Sequence, residues 1–178
     1  GDPICCEEGG MANWWVNEPY ISLFLRDKPF FYNTSRGRQV AFEMHYKNTP
    51  GTNGMTDNIQ PGIFSAGTNW HLPWRSYLQQ TTSGGNSFFG FLGDGSARQY
   101  DAGQYDYASH SALIAAPNNQ YYLRFPSGST NVYGTWVTLN GNAYCFLSRK
   151  VDITGAVTTF SYSSNNGMVL LTNVTDVD

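Results

Sequence analysis

Short segments with alternating apolar side chains, separated by turn-forming residues, leave little room for helices in this sequence. Residues 38–47 show the pattern most clearly, because apolar side chains occupy every second position. A period of two is that of a strand with one face against a core and the other against water. We expect the buried face to be formed by Val40, Phe42, Met44 and Tyr46. We expect the exposed face to include Glu43, His45 and Lys47.

Further strands are predicted at similar spacing along the chain. Their expected ranges are 20–26, 70–80, 87–92, 97–100, 119–125, 132–138, 143–149, 156–162 and 168–174. The dipeptides Asp94–Gly95 and Asn140–Gly141 fit type I′ hairpin turns, which need positive φ at both positions. Asp27-Lys28-Pro29 is expected to end the first strand, and the one helix-compatible segment, Ser109 to Ala116, stops before Pro117.

These patterns predict an all-β fold, either an antiparallel β-sandwich or a wound β-sheet that leads into repeat-type strands. We divide the chain into an extended N-terminal arm (1–19), a β-sandwich-like domain (20–146) and a repeat region (147–178). Residues 48–62 are rich in Gly, Pro and Asn and are expected to form a long loop that is either mobile or functional.

The chain is poor in charge and rich in aromatic residues, which make up 13% and 16% of it. Globular proteins average about 25% charged residues, so the surface here must rely on uncharged polar side chains, as extracellular β proteins do. The net charge is −3 and the cations are not clustered, which argues against nucleic acid as a partner. No apolar stretch approaches the roughly 18 residues of a membrane span, so no membrane insertion is expected.

The cysteines are the adjacent pair Cys5 and Cys6 and the distant Cys145. In a chain of exported character, an odd number predicts one disulfide and one free or intermolecular thiol. We expect Cys145 to bond either Cys5 or Cys6. A zinc site is the alternative, but adjacent cysteines lack the spacer that lets two thiolates reach one metal ion, so no metal is expected.

One internal repeat is present near the end of the sequence. The segment Leu147–Asp152 recurs as Leu171–Asp176, displaced by 24 positions. Between the two copies lie Gly155, an alternating segment at 158–162 and Gly167. A repeat of this length is typical of stacked architectures, in which no unit can bury its own apolar face alone.

This repeat resembles the YD repeat of Rhs proteins and teneurins. The residues that carry the resemblance are Val151, Asp152, Gly155, Phe160, Tyr162, Gly167, Leu171 and Asp176. The chain departs from the family pattern where Tyr162 is followed by Ser163, and the second unit is cut short at Asp178. Residues 16–46 are similar to the region that precedes the repeats in large bacterial Rhs-type proteins. The resemblance implies a secreted or cell-surface scaffold whose strands wind into a hollow shell.

Candidate catalytic residues do not form a recognisable motif. Ser109-His110-Ser111 suggests a serine and histidine pair, but a polar histidine in a loop is the simpler interpretation. Asp94, Asp101 and Asp106 contain carboxylates for a glycosidase, which needs two of them across a cleft. Turn formation is the simpler role for Asp94. We therefore expect no enzyme activity and no cofactor.

Aromatic and amide side chains offer a second interpretation, carbohydrate binding. The aromatic candidates for stacking on a sugar are Trp14, Trp15, Trp70 and Trp74, together with Tyr100, Tyr105 and Tyr107, although burial in a core is the commoner use of such residues. Asn33 and Asn173 begin glycosylation sequons, which matter only in a host that glycosylates.

The expected function is that of a structural, non-enzymatic segment in an extracellular β assembly. A carbohydrate-binding or adhesive module is the alternative, and an all-β hydrolase is less favoured. The expected partners are downstream repeats of the same polypeptide or neighbouring copies, joined through open strand edges such as Met168–Leu171. If a neighbouring copy covers that edge, its residues 1–19 are the candidate for the added strand.

Overall fold

Antiparallel strands make up all the regular secondary structure in the part of the chain that the structure describes. The structure is a computed structural model and describes residues 12–17, 22–33, 39–48, 62–67, 69–81 and 85–176. The strands are β1 (Asn13–Asn17), β2 (Ser22–Asn33), β3 (Gln39–Lys47), β4 (Trp70–His71), β5 (Tyr77–Gln80), β6 (Ser87–Phe91), β7 (Ala97–Asp101), β8 (Tyr105–Asp106), β9 (Ser111–Ala116), β10 (Gln120–Arg124), β11 (Thr130–Leu139), β12 (Asn142–Val151), β13 (Val157–Asn165) and β14 (Met168–Thr175). The predicted all-β class is confirmed.

Tight turns with positive φ join several of these strands. Asn140 and Gly141 have φ of 50° and 80°, as a type I′ turn requires, and they connect β11 to β12 as predicted. Asp94–Gly95 differs from the prediction, because only Gly95 has positive φ, at 80°. The Asp94 carboxylate instead accepts hydrogen bonds from the backbone and hydroxyl of Ser96 at 2.9 and 2.7 Å, which stabilises a longer loop.

The first sheet has four strands in the order β1-β2-β3-β4. The predicted break at Asp27-Lys28-Pro29 is wrong, because β2 continues to Asn33 through a register shift between Asp27 and Phe30. A bulge of this kind tolerates a proline inside a strand, since the local ladder is already interrupted. The structure therefore carries the aromatic run Phe30-Phe31-Tyr32 on β2 rather than in a loop.

Strand β3 forms where it was predicted, but its burial is less one-sided. All residues from Val40 to Lys47 are half-buried, so the expectation of an exposed Glu43 face is wrong. Phe42 packs edge-on against Trp74, at 5.5 Å between ring centroids, as the apolar face of β3 should. The opposite face is covered because Arg26 and Lys28 of β2 reach the Glu43 carboxylate.

The second sheet is nearly closed into a barrel. Eight of its strands follow the order β7-β6-β5-β12-β11-β10-β9-β8. Across the gap between the two ends of that order, Arg98 of β7 pairs with Asp106 of β8 at 3.2 Å, and the Gly103 backbone amide donates to the Leu113 carbonyl at 2.7 Å. The β-sandwich expected for residues 20–146 is thus a small sheet beside a wound, barrel-like sheet.

Large side chains fill the interior of the barrel. The residues there that are at most 2% exposed are Leu78, Phe88, Tyr100, Leu113, Leu123, Tyr133, Cys145 and Leu147. Tyr133 and Ser76 share a hydrogen bond of 2.8 Å between their hydroxyls. Barrels of about eight strands are narrow enough for side chains to fill, so this interior is a core rather than a binding cavity.

A second buried cluster lies against the outer face of β5 and β12. It brings together Ile63, Tyr77, Phe91, Leu139, Tyr144, Phe146 and Val169. Val169 belongs to β14, so the hairpin β13–β14 folds over the outside of the barrel. Through this cluster the repeat region (147–178) packs on the barrel. The boundary that we placed at residue 147 also falls within β12.

The segment Ser109–Ala116 is a strand rather than a helix. Ser111–Ala116 forms β9 and pairs with β10 from Ala112 to Ala116. Ser111 and Leu113 are both fully buried, which is the two-residue period of a strand. Pairing with β10 thus overrides the local helical preference of its alanines.

Candidate functional site

The repeat motif begins with a turn that Asp152 stabilises. Its carboxylate accepts hydrogen bonds from the Thr154 amide at 2.8 Å, the Thr154 hydroxyl at 2.7 Å and the Ala156 amide at 2.9 Å. Gly155 has φ of 85°, a conformation that favours glycine. The carboxylate is thus used in folding the backbone between β12 and β13.

Strand β13 lies between the two copies of the repeat. Thr159 of β13 is opposite Arg149 of β12 on one side and Thr175 of β14 on the other. The strands that carry the two copies are therefore parallel to each other and separated by one antiparallel strand. The hydroxyl of Thr158 donates to the Asp176 carboxylate at 3.3 Å, close to the turn of the first copy. The three strands thus form an antiparallel series in which β13 joins the two copies.

Two aromatic residues of the motif attach β13 to the barrel. Phe160 is 3% exposed and its ring centroid lies 6.4 Å from that of Trp74. Tyr162 packs against Phe146 at 5.2 Å between ring centroids, and its hydroxyl donates to the Leu147 carbonyl at 2.7 Å. Burial raises the pKa of Tyr162, so the hydroxyl stays protonated and able to donate. Leu171 is half-buried, whereas Gly167 turns the chain between β13 and β14 with φ of 74°.

The outer edge of β14 is partly covered. The Val169 amide donates to the Gly62 carbonyl at 2.7 Å, and the Phe64 amide donates to the Val169 carbonyl at 3.2 Å. The expectation of an unpaired edge at Met168–Leu171 is therefore wrong at Val169, because residues 62–64 lie beside it in a parallel bridge to Ile63. From Leu171 to Thr175, the described part of the chain places no strand on this side.

The four tryptophans proposed for sugar stacking do not form one surface. Trp14 and Trp15 point to opposite faces of β1, with 65% and 41% exposure. Trp70 of β4 packs edge-on against Tyr46, and Trp74 lies between Phe42 and Phe160. Each of the last two is half-buried and takes part in the packing between strands.

A different aromatic pair is exposed at the end of the barrel. Tyr105 and Tyr107 are 48% and 80% exposed, and their rings meet edge to face at 5.0 Å between centroids. The Tyr105 hydroxyl is 3.4 Å from Nδ1 of His110. Both tyrosines were candidates for sugar stacking in the sequence, but their exposure could not be assigned in advance.

The serine, histidine and aspartate side chains that were considered for catalysis form hydrogen bonds with one another or with a neighbouring strand or loop. The hydroxyls of Ser109 and Ser111 bond each other at 2.6 Å, and Ser109 also bonds Asp106, while the His110 ring faces Tyr105. Asp101 bonds the Ser87 hydroxyl. These bonds connect neighbouring strands and turns.

Two of the pockets formed by the described residues open near the repeat region. One, of about 710 Å³, lies at the end of the barrel and is lined by Phe125, Pro126, Ser127, Ser129, Asn131, Lys150, Val151, Asp152 and Thr158. The Lys150 ammonium donates to the Pro73 carbonyl at 3.0 Å, and the Asp152 carboxylate is held in its turn. A smaller pocket of about 180 Å³ lies where β3 meets the barrel, between Phe42, Leu72 and Trp74.

Cys145 does not form the predicted disulfide in this structure. It is a free thiol with no exposure, on β12 opposite Leu78 in the barrel core. A disulfide partner would have to enter that core, which is already filled. Cys5 and Cys6 lie outside the described residues.

We expect Cys145 to resist alkylation in the folded protein. Burial raises its pKa to about 12, and the thiolate is the reactive form. With Cys5→Ser and Cys6→Ser, a maleimide should modify the folded protein orders of magnitude more slowly than the urea-unfolded protein. Equally fast modification, or a peptide that links Cys145 to Cys5 or Cys6 in unreduced wild-type protein, would show that this thiol is not a core residue.

Glu43 is the centre of an ion cluster that the sequence did not reveal. It bonds Arg26 at 3.0 and 3.1 Å and His45 at 3.2 Å, and Lys28 lies 3.4 Å away. Partial burial acts to raise the pKa of Glu43, but the bonds from His45 and Arg26, with the charges of Arg26 and Lys28, lower it to about 2. Arg26 and Lys28 meet Glu43 only through the pairing of β2 with β3.

Glu43→Gln should therefore destabilise the protein at neutral pH. A lowered pKa in the folded state adds stability above the unfolded value of 4.5, and that stability is lost as the pH falls toward 2. Because Arg26 and Lys28 are 42% and 36% exposed, we expect about 1–2 kcal/mol rather than the full shift. Urea unfolding from pH 7 to pH 2 measures the gap to wild type, which should close in acid. Asp27→Asn, on the other face of β2, is the control.

The two sequons occupy different positions. Asn33 is exposed at the end of β2, and the rest of its sequon lies outside the described residues. Asn173 is exposed on β14, where its side chain donates to the Thr175 hydroxyl at 3.0 Å.

No group of three or more metal-ligating side chains occurs among the residues that the structure describes. Within those same residues, no helix has the length and apolar character needed to cross a bilayer. No protein-family model matches the chain, and no curated protein matches it in sequence.

Proposed function

We propose that this chain is a structural, non-enzymatic segment of a secreted or cell-surface protein of the Rhs/YD-repeat type. In this role the barrel is a rigid base, and the strands β12, β13 and β14 start a sheet that further repeat units lengthen into a shell wall. This structural role requires no cofactor, because it consists only of strand pairing and packing.

The observation that carries this proposal is the arrangement of the two repeat copies. They lie parallel on either side of β13, and the motif residues serve the turn and the packing: Asp152 and Gly155 fold the turn, and Phe160 and Tyr162 anchor β13 to the barrel. Each copy ends at an aspartate, Asp152 in the first and Asp176 in the second. The Asp176 carboxylate accepts a hydrogen bond from the Thr158 hydroxyl of β13. A further unit would meet β14 between Leu171 and Thr175.

An extended chain tests this proposal. A second copy of residues 153–176 is appended after Asp176, so that the 24-residue spacing continues. We expect the free energy of unfolding to rise by about 1–3 kcal/mol, because each repeat is stabilised by its interface with the last. The control extension has the same residues in scrambled order. If both extensions leave stability unchanged, the strands do not act as a repeat stack.

Carbohydrate binding is a second candidate, supported by the Tyr105–Tyr107 pair. An exposed aromatic ring with hydroxyl, imidazole and amide groups nearby suits stacking on a sugar face. Calorimetry with neutral oligosaccharides such as cellohexaose and chitohexaose measures it. The candidate holds if Tyr107→Ala abolishes a binding signal that Tyr32→Ala, on the other sheet, retains, and it fails if wild-type protein gives no heat.

A further inference from the structure

Exposed apolar side chains are concentrated on the first sheet. Of the large hydrophobic residues that are exposed in the described part of the chain, six belong to β1 and β2: Trp14, Trp15, Val16, Phe30, Phe31 and Tyr32. Three of them are consecutive on β1, so that both faces of this short strand are apolar. Patches of this kind on a soluble domain mark surfaces that meet another molecule.

Strand β1 is also the outermost strand of its sheet. It pairs with β2 in an unbroken register from Asn13 to Asn17, and the described residues place no strand on its other side. Exposed edge strands are normally protected by lysine, proline or a bulge. The sequence Asn-Trp-Trp-Val-Asn contains none of these, so nothing among the described residues stops its outward backbone groups from pairing with another strand.

The composition of β1 identifies a second copy of the same strand as a fitting partner. An antiparallel pair centred on Trp15 places Trp15 opposite Trp15 of the second copy, Trp14 opposite Val16, and residue 13 opposite residue 17. None of these residues is charged, so no like charges meet, and apolar side chains face each other on both faces of the sheet. Trp15 is already held flat against Phe24, at 5.5 Å and an interplanar angle of 4°, which fixes one ring of the aromatic pair in advance.

We propose that two copies of the chain join through β1, about a two-fold axis at Trp15, and so form one continuous eight-stranded sheet from two four-stranded ones. A self-complementary patch is what a two-fold interface requires. The inference deepens the proposed structural role and rests on it, since it supplies lateral contact between segments whose repeats grow from β14. The edge at β1 belongs to the four-stranded sheet, whereas the edge at β14 belongs to the other sheet.

Charge substitutions at Trp15 test the interface. Wild-type protein is expected to show the dimer mass in sedimentation equilibrium and in light scattering after size-exclusion chromatography. Trp15→Lys and Trp15→Glu should each give the monomer mass, because like charges directly opposite each other repel. When the two variants are mixed, the opposite charges should restore a one-to-one dimer. Tyr107→Lys, at an exposed aromatic residue far along the chain, should leave the dimer intact.

The mixing experiment guards against a folding defect, because a misfolded variant would not regain a defined dimer on mixing. A wild-type monomer at the highest soluble concentration would overturn the proposal. So would a Trp15→Lys protein that stays dimeric, or a mixture that stays monomeric. None of these results affects the extended-repeat experiment, which depends on β14, so the failure of one proposal can be told from the failure of the other.

Discussion

Phe160→Ala should lower the free energy of unfolding by about 3–5 kcal/mol, the range for removing a buried aromatic ring from a core that cannot collapse around the gap. Phe160 is 3% exposed and belongs to the same buried cluster as Leu147, with the Trp74 ring beside it. With Tyr162, it is one of the two motif residues that attach β13 to the barrel. The loss should therefore weaken the attachment of the repeat strands.

Thr159→Ala is the matched control for this substitution. Thr159 is the neighbouring residue on β13, but its side chain is exposed on the other face of the strand. It should change stability by less than about 0.5 kcal/mol, as surface substitutions usually do. Both variants are measured by urea unfolding followed by tryptophan fluorescence. A loss below about 1 kcal/mol for Phe160→Ala would mean that the repeat strands are not packed on the barrel.

Gly95→Ala should be strongly destabilising, with a loss of about 3–5 kcal/mol. Gly95 has φ of 80°, and a Cβ placed there would lie 2.6 Å from the imidazole ring of His71. His71 is 6% exposed, so its ring cannot move away without disturbing β4. The substitution therefore tests the contact between the four-stranded sheet and the β6–β7 loop of the barrel.

Gly141→Ala separates the effect of packing from that of backbone strain. Gly141 has the same φ of 80°, but a Cβ there would meet no atom within 4 Å. It should cost only about 1–2 kcal/mol, the strain of a left-handed conformation in an L residue. The difference between the two variants reports the clash with His71. Equal losses would show that the first sheet does not pack against this loop.

Local patterns in the sequence were sufficient to predict β3, the Asn140–Gly141 turn and the repeat. Each depends on residues that are close in the chain: alternation within one strand, two residues of a turn, or one recurring motif. The turn at Asp152 is equally local, because it is stabilised by hydrogen bonds within five residues.

Features that depend on distant residues were missed. Glu43 is polar and was expected to face water, but the register of β2 brings Arg26 and Lys28 to its carboxylate. Cys145 was assigned a disulfide from composition, although its position in the barrel interior is set by pairing with β5 and β11. No local signal in the sequence indicates which strands will pair to close a barrel. The burial of Glu43 and of Cys145 could therefore not be predicted.

Hydrogen exchange along β14 tests the structural role most directly. In the chain as it stands, outward-facing amides between Leu171 and Thr175 should exchange quickly, because no described strand accepts their hydrogen bonds on that side. In the chain extended by a second copy of residues 153–176, the same amides should become protected by at least about tenfold, as they pair with the added unit. Protection that stays the same in the extended and scrambled chains would contradict the view that this protein builds a sheet by adding repeats.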